Sequence, residues 1–313
     1  MVGAVGTGIG IGLADAGPDR SDLAPARTVG FALPITYPEG AALPDLGNTP
    51  GPLAAVWLVP REGDTLEAVG LVAKTGTFGR LPIDLPRDDP EAPWNLRVAL
   101  SPDGRRIAYP PAKDQGEARN PIVRDLVSGE THTWAFEFDT RGVGLWADAT
   151  HLFGHVAGGS DGEGWLWEPG KVPTLVNPYR VPYAGSDVSV ASWPSLVAPT
   201  NFGDGSGSCT TVSVYDTQGS SPARVPTLCT VLGVSGSDVL LGHRKDATDG
   251  DGTVVALEFD ASAAPFCPSP PHSCELSVDD AHRRVVAAAG APGRVSFATD
   301  LIGAALDAKV GRS

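Results

Sequence analysis

Four polar, glycine-rich loops carry carboxylates that could bind a cation or a basic partner. They cover residues 112–120, 158–164, 203–208 and 246–252. In the last loop Asp246, Asp249 and Asp251 precede Gly252, and Ca²⁺ prefers several oxygen ligands from one compact loop. The spacing is not that of an EF-hand, however, and the closing glutamate is missing. We therefore predict an acidic binding surface without a metal site; the alternative is a set of solvated hairpin turns.

Aromatic residues are the second set of candidate binding residues. Tryptophans and tyrosines that cluster on one face of a protein can stack on a sugar or hold a peptide. The alternative is that they fill the space between neighbouring sheets as core residues. The candidates lie in connections or at the ends of predicted strands and are Trp94, Trp146, Tyr179 and Trp193.

Histidines and nucleophiles form no recognisable catalytic or metal-binding pattern. The six histidines show no HExxH motif and no other paired-histidine metal spacing, and the chain has no Gly-x-Ser-x-Gly nucleophile elbow. We therefore predict no catalytic residue, no metal and no cofactor.

The four cysteines are the clearest chemical signal. They occur in two closely spaced pairs, and four cysteines allow three pairings. We predict the disulfides Cys209–Cys229 and Cys267–Cys274, which indicate an oxidising compartment outside the cytoplasm. The alternative is four unrelated buried thiols.

Composition limits the class of partner and the class of fold. The chain has 313 residues and a formal net charge of −14, from 37 acidic and 23 basic side chains. Nucleic acid is excluded as a partner, since phosphate binding needs a basic surface. The 39 glycines and 29 prolines favour many short strands joined by turns over long helices.

A repeated hairpin must position these residues. The stretch Leu100–Tyr109 reads as a strand, a tight turn with an arginine pair and a second strand, and residues 276–287 repeat it in altered form. Equivalent positions recur at intervals of 44, 45, 46, 43 and 42 residues. This period is that of a four-stranded propeller blade. The positions are Trp57, Ser101, Trp146, Ser192, Ser235 and Ser277.

The sequence therefore predicts an all-β fold: a six-bladed β-propeller of four-stranded antiparallel blades. We expect residues 28–35 to form an N-terminal strand that completes the last blade and so leaves no exposed edge. The predicted domain covers residues 28–308, with a tail at 309–313. Residues 1–27 are interpreted as a flexible segment or the remnant of a membrane anchor. The four acidic loops would then lie on one face of the ring.

The string Ser101-Pro102-Asp103-Gly104-Arg105-Arg106 and the strand after it resemble the repeat of TolB-like and WD40-like β-propellers of bacterial envelope proteins. The resemblance covers the second repeat and, more loosely, the third and sixth. His243 follows Gly242, as in the Gly-His signature of WD40 repeats, but no matching Trp-Asp closes that unit, so TolB-like is the better description. The resemblance implies a propeller and a tendency to bind partners, in a family that hosts many activities.

Function is predicted at the level of class. We expect a non-catalytic binding or scaffold module of the bacterial cell envelope, extracytoplasmic and either secreted or anchored to the outer face of the membrane, with a protein or glycan partner. One alternative is a lactonase-type hydrolase with its site in the central channel. It is disfavoured because the predicted innermost strands carry almost no ionisable side chains. A regulator with a cytoplasmic portion is a further alternative.

Overall fold

Strands dominate the computed structural model of this chain. It describes residues 29–61, 66–83, 85, 98–111, 120–134, 145–146, 149–155, 164–176, 188–192, 196–199, 212–216, 223–225, 228–235, 239–244, 254–258, 274–275, 284–287 and 294–310.

These residues form twenty-one strands and one helix, which in chain order are β1 (Leu53–Pro60), β2 (Leu66–Val72), β3 (Phe78–Arg80), β4 (Ala99–Leu100), β5 (Arg106–Tyr109), β6 (Ile122–Asp125), β7 (Thr131–Thr133), β8 (Leu145–Trp146), β9 (Leu152–His155), β10 (Gly164–Trp167), β11 (Thr174–Val176), β12 (Val188–Ser192), β13 (Leu196–Pro199), β14 (Val212–Asp216), β15 (Ala223–Val225), β16 (Leu228–Ser235), β17 (Val239–Arg244), β18 (Val254–Glu258), β19 (Cys274–Glu275), β20 (Arg284–Ala287), β21 (Arg294–Phe297) and α1 (Thr299–Val310).

The described strands are arranged in five sheets. The first has the order β21-β1-β2-β3, the second β4-β5-β6-β7 and the third β8-β9-β10-β11. The fourth has the order β12-β13-β14-β15-β19, and the fifth β16-β17-β18-β20. Within each sheet neighbouring strands are antiparallel, except that β19 runs parallel to β15. Four of the five sheets thus have the predicted four-stranded antiparallel form.

The first strands of these sheets contact one another in a cyclic order. β21 contacts β4, β4 contacts β8, β8 contacts β12, β12 contacts β16, and β16 contacts β21. Each sheet therefore has an inner strand at a common centre and an outer strand at the periphery, which is a propeller-like arrangement. Among the described residues the ring contains five sheets, so six blades are not confirmed.

The sixth predicted repeat does not form a sheet of its own in the described residues. Its strand β20 pairs with β18 at the outer edge of the fifth sheet. Its next strand, β21, pairs with β1, with Phe297 opposite Ala55 and Arg294 opposite Leu58. One repeat thus supplies the outer strand of one sheet and the inner strand of the next, which brings the two ends of the described chain together.

The tight turn between β4 and β5 explains why the repeat motif is most complete in the second repeat. The buried Ser101 hydroxyl donates a 2.8 Å hydrogen bond to the Asp103 carboxylate and accepts one of 2.9 Å from the Arg106 backbone N–H. Asp103 also accepts a bond from the Arg105 backbone N–H. Gly104 has a φ of +73°, a conformation that glycine adopts without steric cost. These local bonds reverse the chain between β4 and β5.

The chain after β21 is a helix, whereas the sequence predicts an all-β domain up to residue 308 and a tail at residues 309–313. α1 begins at Thr299 and crosses the predicted boundary between residues 308 and 309. The Ala298 N–H donates to the Ala54 carbonyl oxygen, and the Asp300 N–H donates to the Pro102 carbonyl oxygen. Buried residues of α1 pack on the main core, and the helix contacts β1 and β16. Tertiary contacts thus stabilise a segment whose composition alone did not predict a helix.

The N-terminal segment differs from the predicted closing strand. Residues 29–35 form no strand, although the Ile35 N–H donates to the Val286 carbonyl oxygen and Ile35 forms a single parallel bridge with Ala287. Farther along, Asp45 forms a similar bridge with Arg80 of β3. We call residues 29–50 the belt, because this segment crosses the outer edges of the fifth and first sheets.

An aromatic cluster fastens the belt to the first sheet. The Tyr37 ring centroid lies 5.7 Å from that of Trp57 and 6.1 Å from that of Phe78. Trp57 is buried and also contacts Phe297 of β21 edge to face. The largest core cluster therefore joins the belt, β1, β3 and β21.

No helix in the described part of the chain is both long enough and apolar enough to cross a membrane.

We predict that Gly104→Ala lowers the free energy of unfolding by about 3 kcal/mol, from backbone strain and steric overlap. A Cβ at this position would collide with the Leu53 carbonyl oxygen and lie 2.8 Å from Leu301 Cδ1. Gly47→Ala is the matched control, because Gly47 has a φ of +68° and nothing within 4 Å of such a Cβ. Urea unfolding should show a cost of about 1 kcal/mol for the control. Equal losses in the two variants would contradict this account of the turn.

Candidate functional site

A set of charged side chains joins the second sheet to the third. The Arg106 guanidinium donates to the carbonyl oxygens of Ala149 and Thr150, at 3.4 and 3.3 Å, in the turn between β8 and β9. It also lies 3.9 Å from the Asp125 carboxylate. We call the charged side chains at this junction the seam; they are Arg106, Asp125, Glu130, His132, His151, Glu168 and Lys171.

Asp125 holds the turn between β6 and β7. Its carboxylate accepts hydrogen bonds from the backbone N–H groups of Val127 and Ser128, at 2.8 and 2.9 Å. Burial alone raises the pKa of Asp125, but these two bonds and the positive charges of Arg105 and Arg106 outweigh it. The pKa therefore lies below its ordinary value, and the carboxylate is charged at neutral pH.

Glu168 is the corresponding acidic group of the third sheet. The Lys171 ammonium donates a 2.7 Å hydrogen bond to its carboxylate, and His151 Nε2 lies 3.8 Å from the same oxygen. The hydrogen bond from Lys171 is the main reason that the pKa of Glu168 is lowered, and the charges of Lys171, His151 and Arg106 act in the same direction. Arg106 of the second sheet thus acts electrostatically on a carboxylate of the third.

His132 fills the outer part of the seam. Its Nε2 lies 3.2 Å from the Glu130 carboxylate. A Cβ placed on Gly170 would lie 3.2 Å from His132 Cε1, so the imidazole rests against the turn between β10 and β11. Any side chain at position 170 would push this ring away, which explains why a glycine suits the position.

Three tryptophans pack beneath the seam. The rings of Trp134 and Trp167 meet edge to face with centroids 5.0 Å apart. The Trp167 indole N–H donates to the Lys171 carbonyl oxygen, and the Trp146 indole N–H donates to the Ala99 carbonyl oxygen at 2.9 Å. The second and third sheets are therefore joined by buried rings as well as by charges.

The geometry of the seam suits positioning and recognition better than metal binding. Within the described residues, no group of three or more histidine, cysteine, aspartate or glutamate side chains could hold a metal ion. Beside the seam, two large apolar side chains are solvent-exposed: Val127 is 44% exposed and Val172 is 83% exposed. Val127 lies in the turn between β6 and β7, and Val172 lies in the turn between β10 and β11.

The structure places one predicted binding aromatic in the core. Trp146 is only 4% exposed, and its indole N–H is bonded to Ala99, so this residue fills the space between two sheets instead of facing a ligand. The other predicted binding residues lie outside the described residues; they are Trp94, Tyr179, Trp193, Asp246, Asp249 and Asp251.

The predicted disulfides stay predictions. Cys229 lies in β16 and Cys274 in β19, whereas Cys209 and Cys267 lie outside the described residues.

The sequence did not predict the seam because the contacts that bring its two halves together, from Arg106 to Ala149 and Thr150 and from His132 to Gly170, cross between repeats. Arg106 was visible as the second arginine of the repeated turn, but its carbonyl partners lie more than 40 residues away in the chain. One local signal was available. Glu168 and Lys171 flank a Pro-Gly turn at a spacing that brings opposite charges together.

We predict that Asp125→Asn destabilises the protein by about 1 kcal/mol at pH 7, because the charged acceptor of two turn hydrogen bonds is lost. Folding lowers the pKa of Asp125, so its carboxylate stabilises the folded chain at neutral pH and this contribution disappears as the pH falls through about 4 and below. Unfolding curves of parent and variant should therefore converge in acid. Asp307→Asn, at an exposed helix position, is the matched control for the loss of one negative charge. A gap between Asp125→Asn and the parent that persists in acid would refute the assignment.

We also predict that Trp146→Phe lowers the free energy of unfolding by about 2 kcal/mol, since the buried Ala99 carbonyl loses its donor and the core loses volume. Thermal unfolding measures the loss. An unchanged melting temperature would mean that this indole does not join the two sheets.

Comparison with known proteins gives weak structural similarity only. No protein-family model matches the chain, and no curated protein matches it. The β-propeller domain of Cps50 (Swd1) from Myceliophteria thermophila is 12% identical, with 74% of this chain and 72% of that chain covered and a TM-score of 0.28. A eukaryotic initiation factor is 14% identical, with 71% of this chain covered and a TM-score of 0.27. The match spans about half of that factor, 52% of its chain. The propeller-like description therefore rests on the sheets of this chain itself.

Proposed function

We propose that this protein is a non-catalytic binding module that recognises a protein partner through its loops and outer sheet edges. The observation that carries the proposal is the use of the inner strands for packing. Ala99 and Leu100 of β4, Trp146 of β8 and Phe297 of β21 are all buried apolar residues. Inner positions filled in this way leave recognition to the periphery, which also disfavours a channel hydrolase.

Charge supports a basic partner. The formal net charge of −14 creates a negative potential that attracts cationic surfaces and accelerates their association. In our proposal the loop of Asp246, Asp249 and Asp251 contributes to the binding face. The predicted disulfides and the resemblance to TolB-like repeats support a location in the bacterial cell envelope, outside the cytoplasm.

Affinity capture from a bacterial envelope extract tests this proposal. The full chain serves as bait beside two variants that each lose three negative charges. One carries Asp246→Asn, Asp249→Asn and Asp251→Asn. The control carries Glu39→Gln, Asp45→Asn and Asp307→Asn, at exposed positions on the belt and helix. We expect the loop variant to bind a captured protein at least tenfold more weakly, with the control within about twofold of the parent.

The salt dependence of binding and the class of the captured molecule distinguish the outcomes of this experiment. Binding should weaken between low and physiological ionic strength, since exposed charges are screened over about 8–10 Å. Equal capture by both variants would remove the acidic loop from the site. Capture of glycan alone, or turnover of a lactone by the parent, would overturn the proposed function.

A further inference from the structure

Three of the five outer sheet edges are extended by a short parallel segment. Arg80 of β3 donates to the Pro44 carbonyl oxygen, and its own carbonyl oxygen accepts from the Leu46 N–H. Ile35 forms a parallel bridge with Ala287 of β20. On the fourth sheet, β19 lies parallel to β15. Parallel pairing of a short segment with an outer strand thus recurs in the described part of this fold: twice as a single bridge and once as the short strand β19.

The outer edge of the second sheet is strand β7. No segment of the described chain pairs with this edge. β7 pairs with β6 through Ile122–Thr133, Val123–His132 and Arg124–Thr131. The Trp134 N–H donates to the Pro121 carbonyl oxygen, and the Asp125 N–H donates to the Glu130 carbonyl oxygen. In an antiparallel ladder the bonded pairs alternate, so residues 130, 132 and 134 bond to β6. The backbone N–H and C=O groups of Thr131 and Thr133 therefore point outward.

The residues of this edge suit an added strand. Both threonines are exposed and are β-branched, with good strand propensity. His132 points to the opposite face, where it rests against the turn that contains Gly170. Val172 lies two residues farther along that turn and is 83% exposed. A strand added beside β7 would place alternate side chains toward this valine.

We propose that the β7 edge is a docking site for an extended segment of the partner protein, which adds as a parallel strand. Main-chain bonds to Thr131 and Thr133 supply affinity, and alternate side chains supply specificity. Aliphatic residues of the segment face Val172, and the residues between them are basic, in keeping with the charge of −14. This inference rests on the proposed function for the basic character of the partner, whereas the edge geometry is independent of it.

The test uses the full chain and a fluorescein-labelled peptide, Val-Lys-Val-Lys-Val-Lys-Val, in a fluorescence anisotropy titration. Thr133→Pro removes an outward N–H without removing a bond to β6, and Thr133→Ala removes the side chain alone. We expect Thr133→Pro to weaken peptide binding about tenfold or more and Thr133→Ala to change it by less than about twofold. Absence of binding by the parent, or equal binding by Thr133→Pro, would overturn the proposal.

Hydrogen exchange gives a readout that does not depend on the proline variant folding. The Thr131 and Thr133 amides of the parent should exchange rapidly alone and become protected when the peptide is added. Protection without peptide would mean that another segment of this chain covers the edge. Protection that appears only at high protein concentration, together with dimers in sedimentation, would assign the edge to a second copy; either result overturns the proposal.

The same variants separate this inference from the proposed function. If the protein captured from envelope extract is lost with the Asp246, Asp249 and Asp251 variant but retained with Thr133→Pro, the binding module stands and the edge site does not. Loss with Thr133→Pro and retention with Thr133→Ala would support both.

Discussion

The pairing of β21 with β1 is the contact on which the rest of the structure depends. It supplies the inner strand of the first sheet from the far end of the chain, and it sets Phe297 opposite Ala55. The Ser296 hydroxyl of the same strand accepts a hydrogen bond from the Leu100 N–H, which ties the first sheet to the second. Without β21 the cycle of inner strands would be interrupted between β16 and β4, and the core around Trp57 would lose one wall.

The repeat motif is most complete in the second repeat. Tertiary contacts of its turn explain this, in addition to the local hydrogen bonds of the turn. Its turn lies where the first sheet, the second sheet and α1 meet: the Leu53 N–H donates to the Gly104 carbonyl oxygen, and Leu301 packs over the same glycine. On its other side Arg106 reaches the third sheet. A turn with neighbours on both sides tolerates few substitutions, whereas turns with fewer neighbours can diverge.

In the proposed function, recognition falls to the periphery of this architecture. Ala99, Leu100, Trp146 and Phe297 are buried at inner positions, and the Arg106 guanidinium joins the second sheet to the third. The parallel pairings of the belt and of β19 show that the backbone of three outer strands bonds to other segments of this chain.

The hairpins of this fold could be predicted from the residues of the chain alone. The turn bonds of Ser101 and Asp103 are local, so they were readable, and the predicted strand over residues 106–109 coincides with β5. The period of about 45 residues placed four of the six marker positions, from Trp57 to Ser235, inside strands β1, β8, β12 and β16, and Ser101 directly after β4. Backbone propensity and turn chemistry act over a few residues, so they can be predicted from one amino-acid sequence.

Only the tertiary structure decided how the hairpins are shared between sheets. It separated β20 from β21, made Thr299–Val310 a helix and buried Trp146, which the sequence had offered as a binding residue. It also brought Arg106 to carbonyl groups more than 40 residues away. Strand partners, burial and long-range ion pairs depend on which surfaces come into contact after the chain has collapsed. These contacts cannot be read directly from the order of residues in one sequence.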